Sequence, residues 1–137
     1  MNALFIDSSA LVALNDNDDS SHIEAIKILR EISPLSVSRY ISTNVILETI
    51  TIVSQRLGKR EAIKLLSELR SGNYTVVHPD EGLILEAEDI FQSVVSKNVS
   101  YSDCVSFAVM RRYGIRWVFS FDIHFKKEGF KRVGIDR

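Results

Sequence analysis

Two aspartates directly follow apolar segments that predict buried strands. Asp7 comes after "ALFI" at 3–6, and Asp122 comes after "RWVFSF" at 116–121. Ligands of parallel α/β sheets bind at the carboxyl ends of the strands. If both strands lie centrally in one such sheet, the two carboxylates open on the same edge, although each could also simply cap a following helix.

Two further acids lie near the expected starts of helices. Glu48 is embedded in "VILETITIV", where an ionised carboxylate needs a cation, a hydrogen-bond network or solvent. Asp103 follows Ser102 in the first turn of a helix predicted at 101–114. A structural role is open for both, because a first-turn acid favours the helix dipole and Glu48 could pair with Arg56.

The four acids together point to metal chemistry if they share one cleft. Two carboxylates about 5 Å apart repel by about 3 kcal/mol at an effective dielectric near 20, so four need cations or protonation. Ligation by oxygen alone selects hard divalent ions, Mg²⁺ or Mn²⁺. Such ions can activate a water and stabilise a leaving oxygen in phosphodiester cleavage. A bound cation would also relieve the repulsion between an acidic cleft and a phosphate backbone.

The elements that would position these acids alternate along the chain. Short apolar segments predict strands at 3–6, 35–41, 74–78, 116–121 and 130–134, the last at a sheet edge. Helix-length segments separate them, at 10–15, 22–32, 44–57, 59–71, 82–95 and 101–114. This alternation predicts an α/β fold in three layers, α/β/α, with a central parallel sheet of four to five strands. We expect one domain over 1–137.

Local signals predict the ends and faces of several helices. Ser8 and Ser9 can cap the first helix, Thr43 or Asn44 the third, and Asp80 the helix that starts at 82.

The helix at 59–71 should bury Ala62, Ile63, Leu66 and Leu69, which leaves Leu65 off the main stripe. The helix around 45–53 is apolar on more than one face, so we expect a homodimer through these two helices.

Composition excludes some classes of protein. The net charge of −1 is not that of a chain that grips nucleic acid by bulk charge, although basic pairs at 111–112, 126–127 and 131–132 could act locally. No apolar run reaches the roughly 20 residues of a membrane span. The single cysteine, Cys104, rules out an intrachain disulfide and suits the cytoplasm.

Four segments together resemble the successive motifs of a known family. "FIDSSALVAL", "TNVILET", "YSDCVSFAVMRRYGI" and "VFSFDIHFKKEGFKRV" are similar to those of PIN-domain ribonucleases, and most of all to VapC-type toxins of toxin–antitoxin pairs. The likeness runs from residue 3 to about 134. The opening and closing motifs are specific, whereas the middle glutamate motif is weak by itself.

The resemblance implies roles for particular residues. The acidic quartet of the family corresponds to Asp7, Glu48, Asp103 and Asp122, as ligands of Mg²⁺ or Mn²⁺. Hydroxyls of the first and last motifs fall on Ser9, which would orient the Asp7 loop, and on Ser120, which could hold Asp122 or a metal water. Threonine is usual where Ser120 stands. The resemblance further implies cleavage of structured RNA (tRNA, rRNA or mRNA), a homodimer and an inhibitory antitoxin.

Other chemistry is weaker in the sequence. His22, His78 and His124 lack metal-ligand spacing, and local packing or capping is the better interpretation of His124 beside Asp122. Cys104 has no nucleophile motif around it.

Alternative functions remain open at this point. They are an RNA-processing or DNA-directed nuclease of the same family, a phosphoacceptor signalling module and a binding module without catalysis. The phosphoacceptor module would need a lysine after a late strand and a mid-chain aspartate after a strand, and neither is present.

Overall fold

A five-stranded, fully parallel sheet forms the centre of the molecule in the computed structural model, which describes all residues, 1–137. The strands are β1 (Ala3–Ile6), β2 (Ser38–Ser42), β3 (Thr75–Val77), β4 (Trp117–Phe119) and β5 (Lys131–Arg132). Their order across the sheet is β3-β2-β1-β4-β5. The predicted parallel sheet with β5 at its edge is therefore confirmed.

Seven helices connect the strands. They are α1 (Ser8–Asn15), α2 (His22–Ile32), α3 (Thr43–Leu57), α4 (Lys59–Leu69), α5 (Glu81–Ser93), α6 (Tyr101–Arg112) and α7 (Ile123–Lys127). Right-handed crossovers put α1 to α4 on one face of the sheet and α5 to α7 on the other. The most extensive helix contacts, α5 with α6 and α3 with α4, agree with this, while α3 also contacts α6. The fold is the predicted three-layer α/β/α arrangement. No helix is long and apolar enough to cross a membrane.

The strand order reverses between β1 and β4. The chain leaves β1 towards β2 and β3, then crosses back to β4, which pairs with the other side of β1 through Leu4–Trp117, Phe5–Val118 and Ile6–Phe119. Helices that follow these two strands diverge to opposite faces, so a crevice opens at the carboxyl ends of β1 and β4. Asp7 and Asp122 follow those two strands.

The short helix α7 was not predicted. Five residues are too few for a helical hydrophobic pattern, and the helix depends on one buried side chain, Phe125. Phe125 packs edge-to-face against Phe107 of α6, with ring centroids 4.9 Å apart. This contact fixes α7 directly after Asp122.

The predicted face of α4 was wrong in part. Ala62, Leu65 and Leu69 are its buried residues, whereas Ile63 is 57% exposed and Leu66 is 36% exposed. The buried face of α4 therefore follows the i, i+3, i+7 spacing of Ala62, Leu65 and Leu69. Leu65 belongs to the core and is not available to a dimer interface.

Two predicted helix caps also differ from the structure. Asp7, not Ser8 or Ser9, is the N-cap of α1, and Ser42 is the N-cap of α3 in place of Thr43 or Asn44. Neither N-cap side chain accepts the usual capping hydrogen bond. Asp80 does cap α5, by accepting a hydrogen bond from the Leu83 N–H at 2.8 Å.

Candidate active site

Asp7 lies at the base of the crevice between β1 and β4. Its N–H donates to the Phe119 carbonyl at 3.0 Å, which extends the strand pairing by one residue, and the residue is only 6% exposed. The hydroxyls of Ser9 and Ser120 both donate to Asp7 Oδ2 at 2.8 Å. Asp7 Oδ1 accepts no hydrogen bond from the protein.

The two serines connect Asp7 to the loop after β4. Ser9 Oγ accepts the Phe121 N–H at 3.1 Å, and Ser120 Oγ accepts the Asp122 N–H at 3.0 Å. Each serine hydroxyl therefore accepts a hydrogen bond from a backbone N–H and donates one to Asp7. This fixes the carboxylate relative to both strands, as the sequence suggested for Ser9.

Asp7 has no positive partner, and its ionisation is costly. Burial raises the pKa of Asp7 from 3.8 to about 6, although the two serine hydrogen bonds lower it. The nearby charges of Asp103 and Glu48 add to the rise in that pKa. A buried carboxylate with only hydroxyl donors favours a proton or a cation.

Glu48 reaches the same crevice from the second turn of α3. Its Oε1 accepts a hydrogen bond from Ser8 Oγ at 2.9 Å, and its Oε2 accepts one from Ser102 Oγ at 3.3 Å. The network that the apolar sequence around Glu48 demanded is therefore present. It does not pair with Arg56, which instead binds Asp16 and Asp19.

Asn44 joins α3 to α6 beneath Glu48. Its Nδ2 donates to the Ser102 carbonyl at 3.0 Å and lies 3.1 Å from the hydroxyls of both Ser102 and Ser106. Asn44 Oδ1 accepts from Ser42 Oγ. This bridge sets the distance between the helix that carries Glu48 and the helix that carries Asp103.

Asp103 combines a structural and a potential functional role. It forms a capping box with Ser100: Asp103 Oδ2 accepts the Ser100 N–H at 2.9 Å, and Ser100 Oγ accepts the Asp103 N–H at 3.0 Å. Partial burial raises the pKa of Asp103, the Ser100 bonds oppose that rise, and the charges of Asp122 and Glu48 add to it. Its Oδ1 accepts no hydrogen bond.

Asp122 caps α7 and contacts a histidine. Asp122 Oδ1 accepts the backbone N–H of His124 at 2.9 Å and lies 2.7 Å from Nδ1 of the same residue. Asp122 Oδ2 accepts no hydrogen bond. The sequence indicated a local role for His124 but not this contact.

The four acids thus gather at one edge without a protein cation. No lysine or arginine forms an ion pair with any of them; the basic partner that does appear is His124, at Asp122. Asp7, Asp103 and Asp122 each keep one oxygen without a hydrogen bond. No three acidic, histidine or cysteine side chains converge closely enough to form a preassembled metal cage. An oxygen-only donor set that leaves room for waters suits Mg²⁺ or Mn²⁺, since Mg²⁺ retains several waters when bound.

From the sequence, Ser8, Asn44, Ser102 and His124 could be interpreted as caps, neighbours or packing residues but not as partners of the acids. The contacts of Ser8, Asn44 and Ser102 with the acids or with one another span 40 to 58 positions, so no local pattern marks them. His124 lies only two positions from Asp122, and its place beside that acid was the available signal.

Most of the basic residues near the C-terminus are already engaged. Arg111 pairs with Glu128 at 2.9 Å, and Arg112 pairs with Asp80 and Glu86 at 3.1 and 2.9 Å. Lys126 Nζ lies 3.9 Å from Asp136. Cys104 is fully buried and burial raises its pKa to about 11, which agrees with a core role.

Comparison with known proteins covers almost the whole chain. A family model described as the PIN domain matches residues 4–131. The 23S rRNA-specific endonuclease VapC20 of Mycobacterium tuberculosis, recorded for strains CDC 1551 / Oshkosh and H37Rv, is 30% identical over 130 residues. That alignment covers 95% of this chain and 97% of the relative.

Solved structures agree with the fold. The crystal structure of the M. tuberculosis VapC20, described as a Sarcin-Ricin loop cleaving toxin, superposes with a TM-score of 0.86 at 28% identity and covers 98% of this chain and 99% of that one. A DNA-bound VapBC from Salmonella typhimurium has a TM-score of 0.66 at 14% identity, with 96% and 97% covered. The second similarity bears on the fold alone.

Proposed function

This chain belongs to the PIN-domain family and is a VapC-like endoribonuclease, and we propose that it cleaves structured RNA at the acidic crevice between β1 and β4. One observation carries the assignment of the site. Asp7, Asp103 and Asp122 each keep one carboxylate oxygen without a hydrogen bond, and no lysine or arginine pairs with any of them. Such a site is completed by a divalent cation.

Asp7, Asp103 and Asp122 would hold Mg²⁺ or Mn²⁺ through those oxygens. Both oxygens of Glu48 already accept hydrogen bonds, from Ser8 and Ser102, so Glu48 joins the set more readily through an oriented water. A bound Mg²⁺ or Mn²⁺ supplies a Lewis acid that makes water more acidic and neutralises charge on a phosphate.

The residues of the chain have separate tasks in hydrolysis. The water oxygen bonds to phosphorus and the P–O ester bond breaks. One proton of the water passes to a carboxylate of the cleft, and the departing oxygen takes up a proton from solvent. Glu48 is fixed at both oxygens, so it orients the attacking water. Ser9 and Ser120 hold Asp7 in one rotamer, which keeps the cleft assembled before RNA arrives.

The first RNA to test is 23S rRNA. The relative that is 30% identical is named as a 23S rRNA-specific endonuclease, and a structure 28% identical is described as cleaving the Sarcin-Ricin loop. Among the basic residues weighed for guiding RNA, Lys127 is exposed and has no ion pair, unlike Arg111, Arg112 and Lys126. Lys127 ends the helix that starts directly after Asp122, so it is the first of these residues to test for a phosphate contact.

Two protein partners belong to the same proposal. An antitoxin would cover the acidic crevice and inhibit cleavage. A homodimer would form over α3 and α4, where Leu47, Ile63 and Leu66 are 65%, 57% and 36% exposed. Light scattering that gives 15.5 kDa at working concentrations would contradict the dimer. We assign the activity to the cytoplasm, where a reduced Cys104 and RNA coexist.

The deciding experiment is cleavage of total bacterial RNA by the purified protein with Mn²⁺ or Mg²⁺. EDTA and the Asp7→Asn variant run beside it, and mapped fragment ends give the target. Discrete fragments that disappear in both controls support the proposal. A folded wild-type protein that cuts no RNA with either ion, or an Asp7→Asn variant as active as wild type, contradicts it. Cleavage of DNA in place of RNA would favour the DNA-directed alternative.

A further inference from the structure

His124 connects Asp122 to the segment in front of α6. The ring is partly buried, with its side chain 15% exposed, and its two nitrogens contact different partners. Nδ1 lies 2.7 Å from Asp122 Oδ1, while Nε2 lies 3.4 Å from Ser96 Oγ. Ser96 precedes α6 by a few residues and so belongs to the segment that leads to Asp103.

The contact fixes where the ring carries its proton. An ionised Asp122 oxygen can only accept, so Nδ1 must donate, whether the imidazole is neutral or charged. In the neutral ring Nε2 is then an acceptor. Ser96 Oγ accepts the Asn98 N–H at 3.2 Å, which leaves its own hydrogen free to point at Nε2. The resulting order is Ser96 to His124 to Asp122, with each group donating to the next.

The two hydrogen bonds fix one oxygen of Asp122 and leave the other free. The backbone N–H of His124 alone would satisfy the helix cap, as it does at ordinary N-caps. The imidazole adds a second donor on the same Oδ1, so rotation of the carboxylate must break both bonds. Oδ2 is then the oxygen that is left without a hydrogen bond and available to a cation.

We propose that His124 is a positioning residue that holds Asp122 Oδ2 towards the cleft and, through Ser96, ties Asp122 to the segment that carries Asp103. This inference rests on the proposed function, since it assigns Asp122 and Asp103 to one cation site. Outer partners that orient metal ligands commonly change affinity or activity by 10- to 100-fold.

Substitutions at His124 can separate positioning from packing. In His124→Asn the amide Nδ2 takes the place of Nδ1 and can donate to Asp122. In His124→Gln the amide nitrogen takes the place of Nε2 instead. His124→Ala removes both donors. If His124 acts only by packing, the His124→Gln variant should be more active than His124→Asn, because Gln is the larger side chain. If His124 positions Asp122, His124→Asn should be the more active of the two.

We expect His124→Gln and His124→Ala to lower kcat by about 10- to 100-fold with little change in KM for RNA. His124→Asn should retain most of the wild-type kcat. Calorimetric titration with Mn²⁺ on the same proteins should show weaker binding for Gln and Ala than for Asn. Equal values in all three variants, or an Asn variant no better than Gln, would overturn the proposal.

A spectroscopic measurement needs neither metal nor RNA. Long-range ¹H–¹⁵N spectra of the metal-free protein at alkaline pH should identify His124 as the Nδ1–H tautomer, whereas free imidazole side chains favour Nε2–H. An Nε2–H ring would refute the positioning role even if the enzyme is active. Conversely, a wild-type protein that neither binds Mn²⁺ nor cleaves RNA defeats the proposed function and leaves the tautomer result intact, so the two failures are distinguishable.

Discussion

The acidic side chains of this protein fall into two groups with opposite surroundings. Asp136 binds Arg132 through both carboxylate oxygens, at 3.0 and 3.1 Å, and this partner lowers the pKa of Asp136. Asp7 is buried and its side chain contacts only serine hydroxyls, and burial raises its pKa to about 6. The carboxylate of Asp136 thus has a positive partner, whereas the carboxylate of Asp7 in the cleft has none.

The difference separates acids that have an arginine partner from acids that have none. A carboxylate beside an arginine contributes to folding and has no capacity left for a ligand. A cluster of carboxylates without arginine or lysine costs folding free energy, and such a cost persists where function requires it. An arginine is available nearby, since Arg56 lines the same cavity as Glu48, yet it pairs with Asp16 and Asp19 and with none of the four acids.

The largest expected effect comes from two aspartates that both hydrogen-bond at the start of a helix. Asp103 completes the capping box of α6 with Ser100 and has no basic partner, whereas Asp80 caps α5 and binds Arg112. An asparagine can accept the same capping bonds, so Asp103→Asn and Asp80→Asn should both fold. We expect Asp103→Asn to lose cleavage on the order of a thousandfold, as groups that stabilise reaction charge do, while Asp80→Asn stays at the wild-type rate. Rates of RNA cleavage with Mn²⁺ test this pair, and equal rates would remove Asp103 from the site.

The second effect concerns the free energy of unfolding, which we expect to rise when Asp7 is replaced and cleavage is lost. Asp7 has a folded-state pKa of about 6 against 3.8 when unperturbed, so the folded protein holds the proton more tightly. Stability from this group is therefore complete below pH 3.8 and is lost as the pH rises through about 6. At 1.36 kcal/mol per pH unit the loss is about 3 kcal/mol.

Asp7→Asn avoids that loss and keeps an oxygen for Ser9 and Ser120. In metal-free urea unfolding at pH 8 the variant should be more stable than wild type by up to about 3 kcal/mol, and the gap should close towards pH 3.8. A constant gap across this range would mean that Asp7 does not titrate as its burial implies.

The fold was largely predictable because each strand and long helix has its own local pattern. Asp7 and Asp122 could be placed at one sheet edge for the same reason. The face of α4 could not be read correctly, because Leu65 and Leu66 both fit a helical stripe and only packing against neighbouring elements selects Leu65.

Long-range contacts account for what the sequence could not reveal in the cleft. Ser120 meets Asp7 across 113 positions and Ser8 meets Glu48 across 40. The family resemblance pointed to Ser120 but not to its acceptor. Hydroxyl partners of this kind carry no sequence signal, because serine is common and its partner is chosen by the fold.

A bound metal ion should give the acids of the cleft the positive partner that Asp136 already has, and should therefore stabilise the folded protein. Mn²⁺ at about 100 times its Kd stabilises a protein by about 2.7 kcal/mol if it binds only the folded state. Wild type should show the corresponding rise in Tm at pH 8, and Asp7→Asn should show little. Since the ligands must be deprotonated, the rise should shrink as the pH falls below about 6. A Tm that ignores Mn²⁺ at every pH would contradict ligation by Asp7.

The smallest expected effect comes from Asp136→Asn, which replaces an acid that has an arginine partner. Asp136→Asn removes the charge that faces Arg132, which is itself only 8% exposed in β5. An asparagine can replace part of the hydrogen bonding but not the ion pair, so we expect a loss of about 1–2 kcal/mol in urea unfolding at pH 8. This change in stability is opposite in sign to that of Asp7→Asn, and cleavage per folded molecule should be unchanged.

The pH dependence of the two variants should also differ. Because the folded-state pKa of Asp136 is lowered, its contribution to stability is present at neutral pH and disappears as the pH falls through that pKa. The two variants should therefore converge on wild-type stability in acid from opposite directions, and two curves of the same sign would show that the missing arginine is not what distinguishes the cleft.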